Sequence, residues 1–261
     1  MRTPANRGEG FVNVGFGVAA FLLIWQLLSW AVNRPIVPPP WVVLPEFAQL
    51  LVTVRPLALG ELGVHFVASA GRVLAAIGLA VVTAAPLGLG LGQMARLNRL
   101  FAPLIAFVHP IPKVVFLPVL LVLIGVGDLS KVVLIALILF FQILVVVRDE
   151  AARLRPELVL SVRSLGAGRR ALFRYVYVPA SLPAVLTALR VSVGTAVAVL
   201  FIAETFASQS GLGYYIMVET WQVLKFEEMY AGILAMSILG LTLYFVISLL
   251  ERRVTRWRDA T

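Results

Sequence analysis

Among the ionisable side chains inside the long apolar stretches of this sequence, where an uncompensated charge is costly, His109, Lys113 and Glu204 are the candidates for a path. Lys113 ends the run His109-Pro110-Ile111-Pro112-Lys113, in which two prolines remove backbone donors and so kink or interrupt a helix. A cation beside such a break can lower the barrier for a passing anion. The other reading is that its ammonium snorkels, or pairs with a carbonyl that the break leaves free. Glu204 either touches a passing solute or, more simply, anchors the glycine-rich segment Ser210-Gly211-Leu212-Gly213 that follows it. His109 reads as a satisfied interior residue rather than a proton relay. Arg72 and Arg190 lie closer to the ends of apolar runs and pair most simply with neighbours or lipid phosphate.

These groups suit binding or passage rather than bond-making. There is no nucleophile beside a base, and Glu204 has no second carboxylate near it in the apolar runs. With no cysteine, and with two histidines, His65 and His109, that lack ligand spacing, thiolate chemistry is excluded and no metal site is expected. A glycine-rich phosphate loop of the Walker type is also missing, so nucleotide binding belongs elsewhere.

The elements that must position these residues follow from composition. In 261 residues, 61% are hydrophobic and 13% charged, with a mean hydropathy of +0.97. A soluble domain carries about 25% charged residues, so the bilayer is the natural solvent. A hydrocarbon core of about 30 Å needs about 20 helical residues. Apolar runs of that length predict spans near 11–32, 62–92, 100–124, 130–148, 181–207 and 229–250. The alternation of a membrane barrel is absent. The first run is too long for a signal core and reads as a retained span. Prolines at 35, 38–40, 45 and 56 predict an extended lead into a short amphipathic helix around 45–54. The whole chain, 1–261, reads as a single transmembrane domain.

Basic residues set the orientation, because cytoplasmic loops retain Lys and Arg. One side collects Arg2, Arg7, Arg96, Arg99, Arg148, Arg153, Arg155, Arg163, Arg169, Arg170, Arg174, Arg252, Arg253, Arg256 and Arg258, the other only Arg34, Arg55, Lys131 and Lys225. Both termini are therefore expected in the cytoplasm. The net charge of +9 reflects this asymmetry and attraction to anionic lipid rather than nucleic acid.

The main loop on the basic side, 149–180, can form a helix over 156–165, a turn at Gly166 and Gly168, and a second helix to Tyr177, before Pro179 and Pro183 start span five. A rigid, charged helix–turn–helix is a docking element by physical criteria, or else a basic loop that merely orients the chain. Here the sequence resembles the cytoplasmic loop of binding-protein-dependent ABC importer permeases, in which Glu-Ala-Ala is followed by three residues, Gly, nine residues, an aliphatic residue, one further residue and Leu-Pro. Gly166 and Val176-Tyr177-Val178-Pro179 keep that spacing. The triplet does not: its position holds Leu160-Ser161-Val162, and the literal Glu150-Ala151-Ala152 lies too far upstream. Ser69-Ala70-Gly71-Arg72, Ile111-Pro112-Lys113, Ala203-Glu204 and Ser210-Gly211-Leu212-Gly213-Tyr214 are similar to the nitrate, sulfonate, taurine and bicarbonate branch.

The resemblance implies an all-α, six-span type I importer fold that works as a homodimeric pair in a bacterial inner membrane. Two ABC ATPase subunits would carry ATP and Mg, and a periplasmic or lipid-anchored binding protein would deliver a small organic or inorganic anion. This chain would itself hold no cofactor. Arg163, Ser164, Leu165, Gly166, Ala167, Arg169, Phe173 and Pro179 would form the coupling contact, and His109, Lys113 and Glu204 the candidate path. The competing readings are a self-sufficient channel or secondary transporter, for which no inverted repeat is visible, and a membrane-embedded enzyme.

Overall fold

Backbone groups that cannot reach water must pair within their own segment, so the apolar runs fold as helices. The computed structural model describes residues 7–51, 60–154, 156–206 and 208–255. In chain order it holds α1 (Arg7–Val32), α2 (Pro40–Leu51), α3 (Glu61–Gln93), α4 (Ala95–Val108), a 3-10 turn (Lys113–Phe116), α5 (Leu117–Ile124) and α6 (Asp128–Ala152). Then come α7 (Pro156–Ser164), α8 (Arg169–Leu172), a π turn (Phe173–Tyr177), α9 (Val178–Thr205), α10 (Leu212–Tyr214), a second π turn (Tyr215–Thr220) and α11 (Phe226–Val254). No strand occurs among the described residues. Arg2, Arg55, Arg155, Arg256 and Arg258, the tail of the expected amphipathic helix at 52–54, and Ala207 lie outside the described residues.

The core is the α3–α6–α9–α11 bundle, with α3 and α6 forming its largest contact. Without a hydrophobic drive between helices in lipid, close approach relies on small residues. Gly88 and Gly92 supply it: a Cβ at Gly92 would sit 2.6 Å from the Ala151 Cβ, and one at Gly88 3.0 Å from the Val147 Cβ. Gly71 and Gly78 instead face open space, so only part of the glycine series of this span serves the packing seam. Leu62, Val73, Ala76, Ala80, Leu134, Leu139, Ile143 and Leu200 fill the interior. The helix α1 stands at the margin, tied by the Trp25 indole N–H donating to the Pro38 carbonyl at 3.1 Å and by stacking of Trp25 on Tyr230.

Five helices are long and apolar enough to cross a membrane, and the pair 95–108 and 113–124, bent by 82°, makes a sixth when counted as one span. Two details differ from the sequence expectation. The amphipathic helix begins at Pro40, not near Pro45, because proline is well suited to a first helical position. Pro179 and Pro183 do not start a span: 170–205 is one continuous helical stretch. The π turn makes this possible, since the Val178 N–H reaches back five residues to the Phe173 carbonyl where a proline would otherwise break the ladder.

Candidate functional site

The loop after α6 is built from short-range bonds. Gly166 ends α7 with a φ of +81°, a left-handed conformation that side chains other than glycine resist, and its N–H donates to the Arg163 carbonyl at 2.9 Å. Leu172 and Val176 are buried and fix α8 and the π turn to the bundle. The far side is bare. Leu158, Leu160 and Leu165 are exposed, Leu165 at 86%, and nothing among the described residues comes within 4 Å of a Cβ placed on Gly166. Arg163, Ser164, Phe173 and Pro179 are exposed and Ala167 half-buried, while the Arg169 side chain lies outside the described residues.

At the bend between α4 and α5, Pro110 and Pro112 leave carbonyls without backbone partners. Lys113, buried, donates to three carbonyls of the bend: Val108 at 3.0 Å, which also accepts from the Ile111 N–H, His109 at 2.5 Å and Ile111 at 3.1 Å. The Phe141 ring lies beneath, 4.7 Å from Nζ. An ammonium has three N–H donors, so all are in use. The His109 ring is exposed rather than interior, because α4 ends at the proline break and leaves the ring outside the helix packing.

A buried polar knot joins the opposite end of the bundle. Glu204, fully buried near the end of α9, accepts from Arg72 at 2.6 Å, from the Ser69 hydroxyl at 2.8 Å and from the Gly213 N–H at 2.9 Å. Arg72 also donates to Asp128 through Nε at 2.8 Å, to the Ser210 carbonyl at 2.8 Å and to the Ser210 hydroxyl at 2.7 Å. Its Nη2 also lies 2.7 Å from Asp128, so the five-donor fork is fully used. Ser69 accepts from the Leu212 N–H, and His65 Nδ1 accepts from the Gly211 N–H at 3.0 Å. Gly211 has a φ of +111°, and a Cβ there would run into the Arg72 and Glu204 side chains. Buried Lys131 donates to the Gly127 carbonyl at 3.0 Å. Arg72 thus pairs the buried Glu204 on one side and the exposed Asp128 on the other, and Glu204 would be costly to bury without it.

Residues 76–256 match the family described as "binding-protein-dependent transport system inner membrane component". The chain belongs to this family. The permease is 29% identical over 251 residues to the taurine transport system permease protein TauC of Escherichia coli (strain K12), covering 94% of this chain and 90% of that one. It is 28% identical over 265 residues to the putative aliphatic sulfonates transport permease protein SsuC of Bacillus subtilis (strain 168), covering 99% and 92%. In backbone it is similar to a chain of the inward-facing MetNI methionine ABC transporter, with a TM-score of 0.59 at 18% identity, over 75% of this chain and 96% of that one. That likeness bears on the fold alone, an all-helical ABC importer permease. The protein is accordingly a multi-pass inner-membrane permease component, and a self-sufficient channel or secondary transporter finds no support.

Of the residues named from sequence, the permease brings His109 and Lys113 together at the bend and sets Glu204 apart in the knot. Ser69, Asp128, Lys131 and His65 join that knot without having been singled out for it, whereas Ser210 belongs to the segment that Glu204 was expected to anchor. The available signal was electrostatic: a carboxylate such as Glu204 inside an apolar run demands a partner, and Arg72 lies within another. Arg190 pairs with Glu251 at 2.6 Å near the basic end, and Thr187 donates to the same carboxylate.

Proposed function

We propose that this permease forms the solute path of an ATP-driven importer for small sulfonates such as taurine, and that it works as one of two copies. The observation that carries the reading is family membership over residues 76–256, together with curated relatives named for taurine and aliphatic sulfonates. Two ATPase subunits carry ATP and Mg, an external binding protein delivers the solute, and this chain binds no cofactor. Both termini lie in the cytoplasm, in keeping with the arginines at one end of the bundle.

The loop over 156–177 is the ATPase contact. Its support is physical: α7 exposes Leu158 and Leu160, and the turn after it Leu165, outside any membrane-crossing helix, an arrangement that leaves apolar surface for a partner. The continuous 170–205 helix carries the half of this loop after the Gly166 turn into the core, so a displacement passed through that turn to α8 moves α9 with it. With Leu160-Ser161-Val162 in place of the acidic triplet, the contact depends on apolar burial and on Gly166.

The test is uptake of labelled taurine into proteoliposomes holding the permease, its ATPase and its binding protein. ATP-dependent accumulation that needs all three components is expected. Accumulation by the permease alone would overturn the reading.

A further inference from the structure

A charge inside a membrane protein makes a binding site only where it keeps hydrogen-bonding capacity free. The cations of this permease with saturated donors are poor candidates: Arg72 spends its donors on Asp128, Glu204 and Ser210, and Lys113 spends its three on carbonyls of the bend. A different group is left. Gln142 of α6 is half-buried among apolar neighbours, and its buried Oε1 has no hydrogen-bond partner. The exposed His109 ring has no hydrogen-bond partner either among the described residues.

Both residues line one cavity of about 320 Å³, which Lys113, Pro112 and Val199 complete at the bend between α4 and α5. That volume falls in the range of small-ligand sites, about 300–1,000 Å³. Leaving an amide oxygen buried and unpaired costs about 1–3 kcal/mol, and such a group calls for a partner that completes it. Irregular backbone at membrane depth is tolerated where it borders protein or a water-filled space. The amide can turn about its last torsion, so either its oxygen or its NH2 faces the cavity.

We infer that Gln142 contacts the transported solute in the bend cavity, its unpaired Oε1 accepting from the ammonium of an aminosulfonate such as taurine. His109 lines the same cavity, and Lys113 contributes its positive field while its hydrogens stay on the carbonyls. This rests on the sulfonate reading above for the solute, though not for the position of Gln142 on the path.

The chain has no cysteine, so a single introduced thiol reports without background. In the complete complex, Gln142→Cys is treated with 2-sulfonatoethyl methanethiosulfonate, which itself carries an ethanesulfonate head. Leu23→Cys, on the exposed apolar face of α1, serves as the lipid-facing control and Val223→Cys, in the exposed turn before α11, as the water-exposed one. Gln142→Cys is expected to react at least about tenfold faster than Leu23→Cys and to be protected by taurine, and Gln142→Met is expected to raise the KM for taurine about tenfold with ATPase association unchanged. No reaction at Gln142→Cys with or without ATP, while Val223→Cys reacts, would overturn the inference. So would an unchanged KM in Gln142→Met. A wild-type complex that hydrolyses ATP yet imports no taurine would remove the sulfonate reading, and labelling at Gln142→Cys would still decide whether that residue lines the path.

Discussion

Arg72 and Glu204, 132 residues apart in sequence, form a 2.6 Å ion pair at 5% and 0% side-chain exposure, within helices that cross the membrane. The pair ties α3 to the end of α9 and, through Ser210 and Gly213, to the segment leading into α10. It makes the end of the bundle away from the arginines a rigid unit.

Removing one partner of a buried ion pair costs about 3–5 kcal/mol, whereas replacing both with apolar residues costs much less. Glu204→Ala should therefore lower the thermal unfolding midpoint of the detergent-solubilised permease more than the double variant Arg72→Met/Glu204→Met does. Unfolding followed by size exclusion after heating checks this. Additive losses would show that the two side chains act independently.

The close approach of α3 and α6 depends on position, not on glycine content. Gly92→Val should destabilise by about 1–3 kcal/mol, because the added atoms meet Ala151 and the Arg148 carbonyl. Gly78→Val, facing open space, should stay within about 0.5 kcal/mol. The same unfolding assay compares the two.

Lys113 caps the bend. Lys113→Met leaves the carbonyls of Val108, His109 and Ile111 without that donor and should cost about 1–3 kcal/mol. Hydrogen exchange of peptides spanning 105–120 should quicken, while the KM for taurine changes less than in Gln142→Met. A large KM change with unaltered exchange would make Lys113 a direct solute contact instead.

The helical architecture was legible because each apolar run is long enough to span and lipid permits little else. The double proline around Ile111 likewise predicted a break, though not its 82° angle. The polar knot was less visible: nothing in a linear sequence pairs Arg72 with Glu204 or brings His65 to the Gly211 N–H. Pro179 misled because proline usually ends a helix, and a π turn just before it absorbed the missing bond. Gln142 gave no signal, since one amide in an apolar run is notable only when its oxygen proves unpaired and beside a cavity.

The docking loop gives the most direct test of the mechanism. Leu165 is 86% exposed and makes no packing that folding needs, so Leu165→Asp should leave the unfolding midpoint unchanged. Gly166→Ala adds left-handed strain of about 1–2 kcal/mol at the same tip. The measurement is the amount of ATPase subunit that co-purifies with affinity-tagged permease. Near-complete loss is expected with Leu165→Asp and partial loss with Gly166→Ala, both in folded protein. Full retention of the ATPase by a folded Leu165→Asp permease would contradict the proposed docking role of this loop.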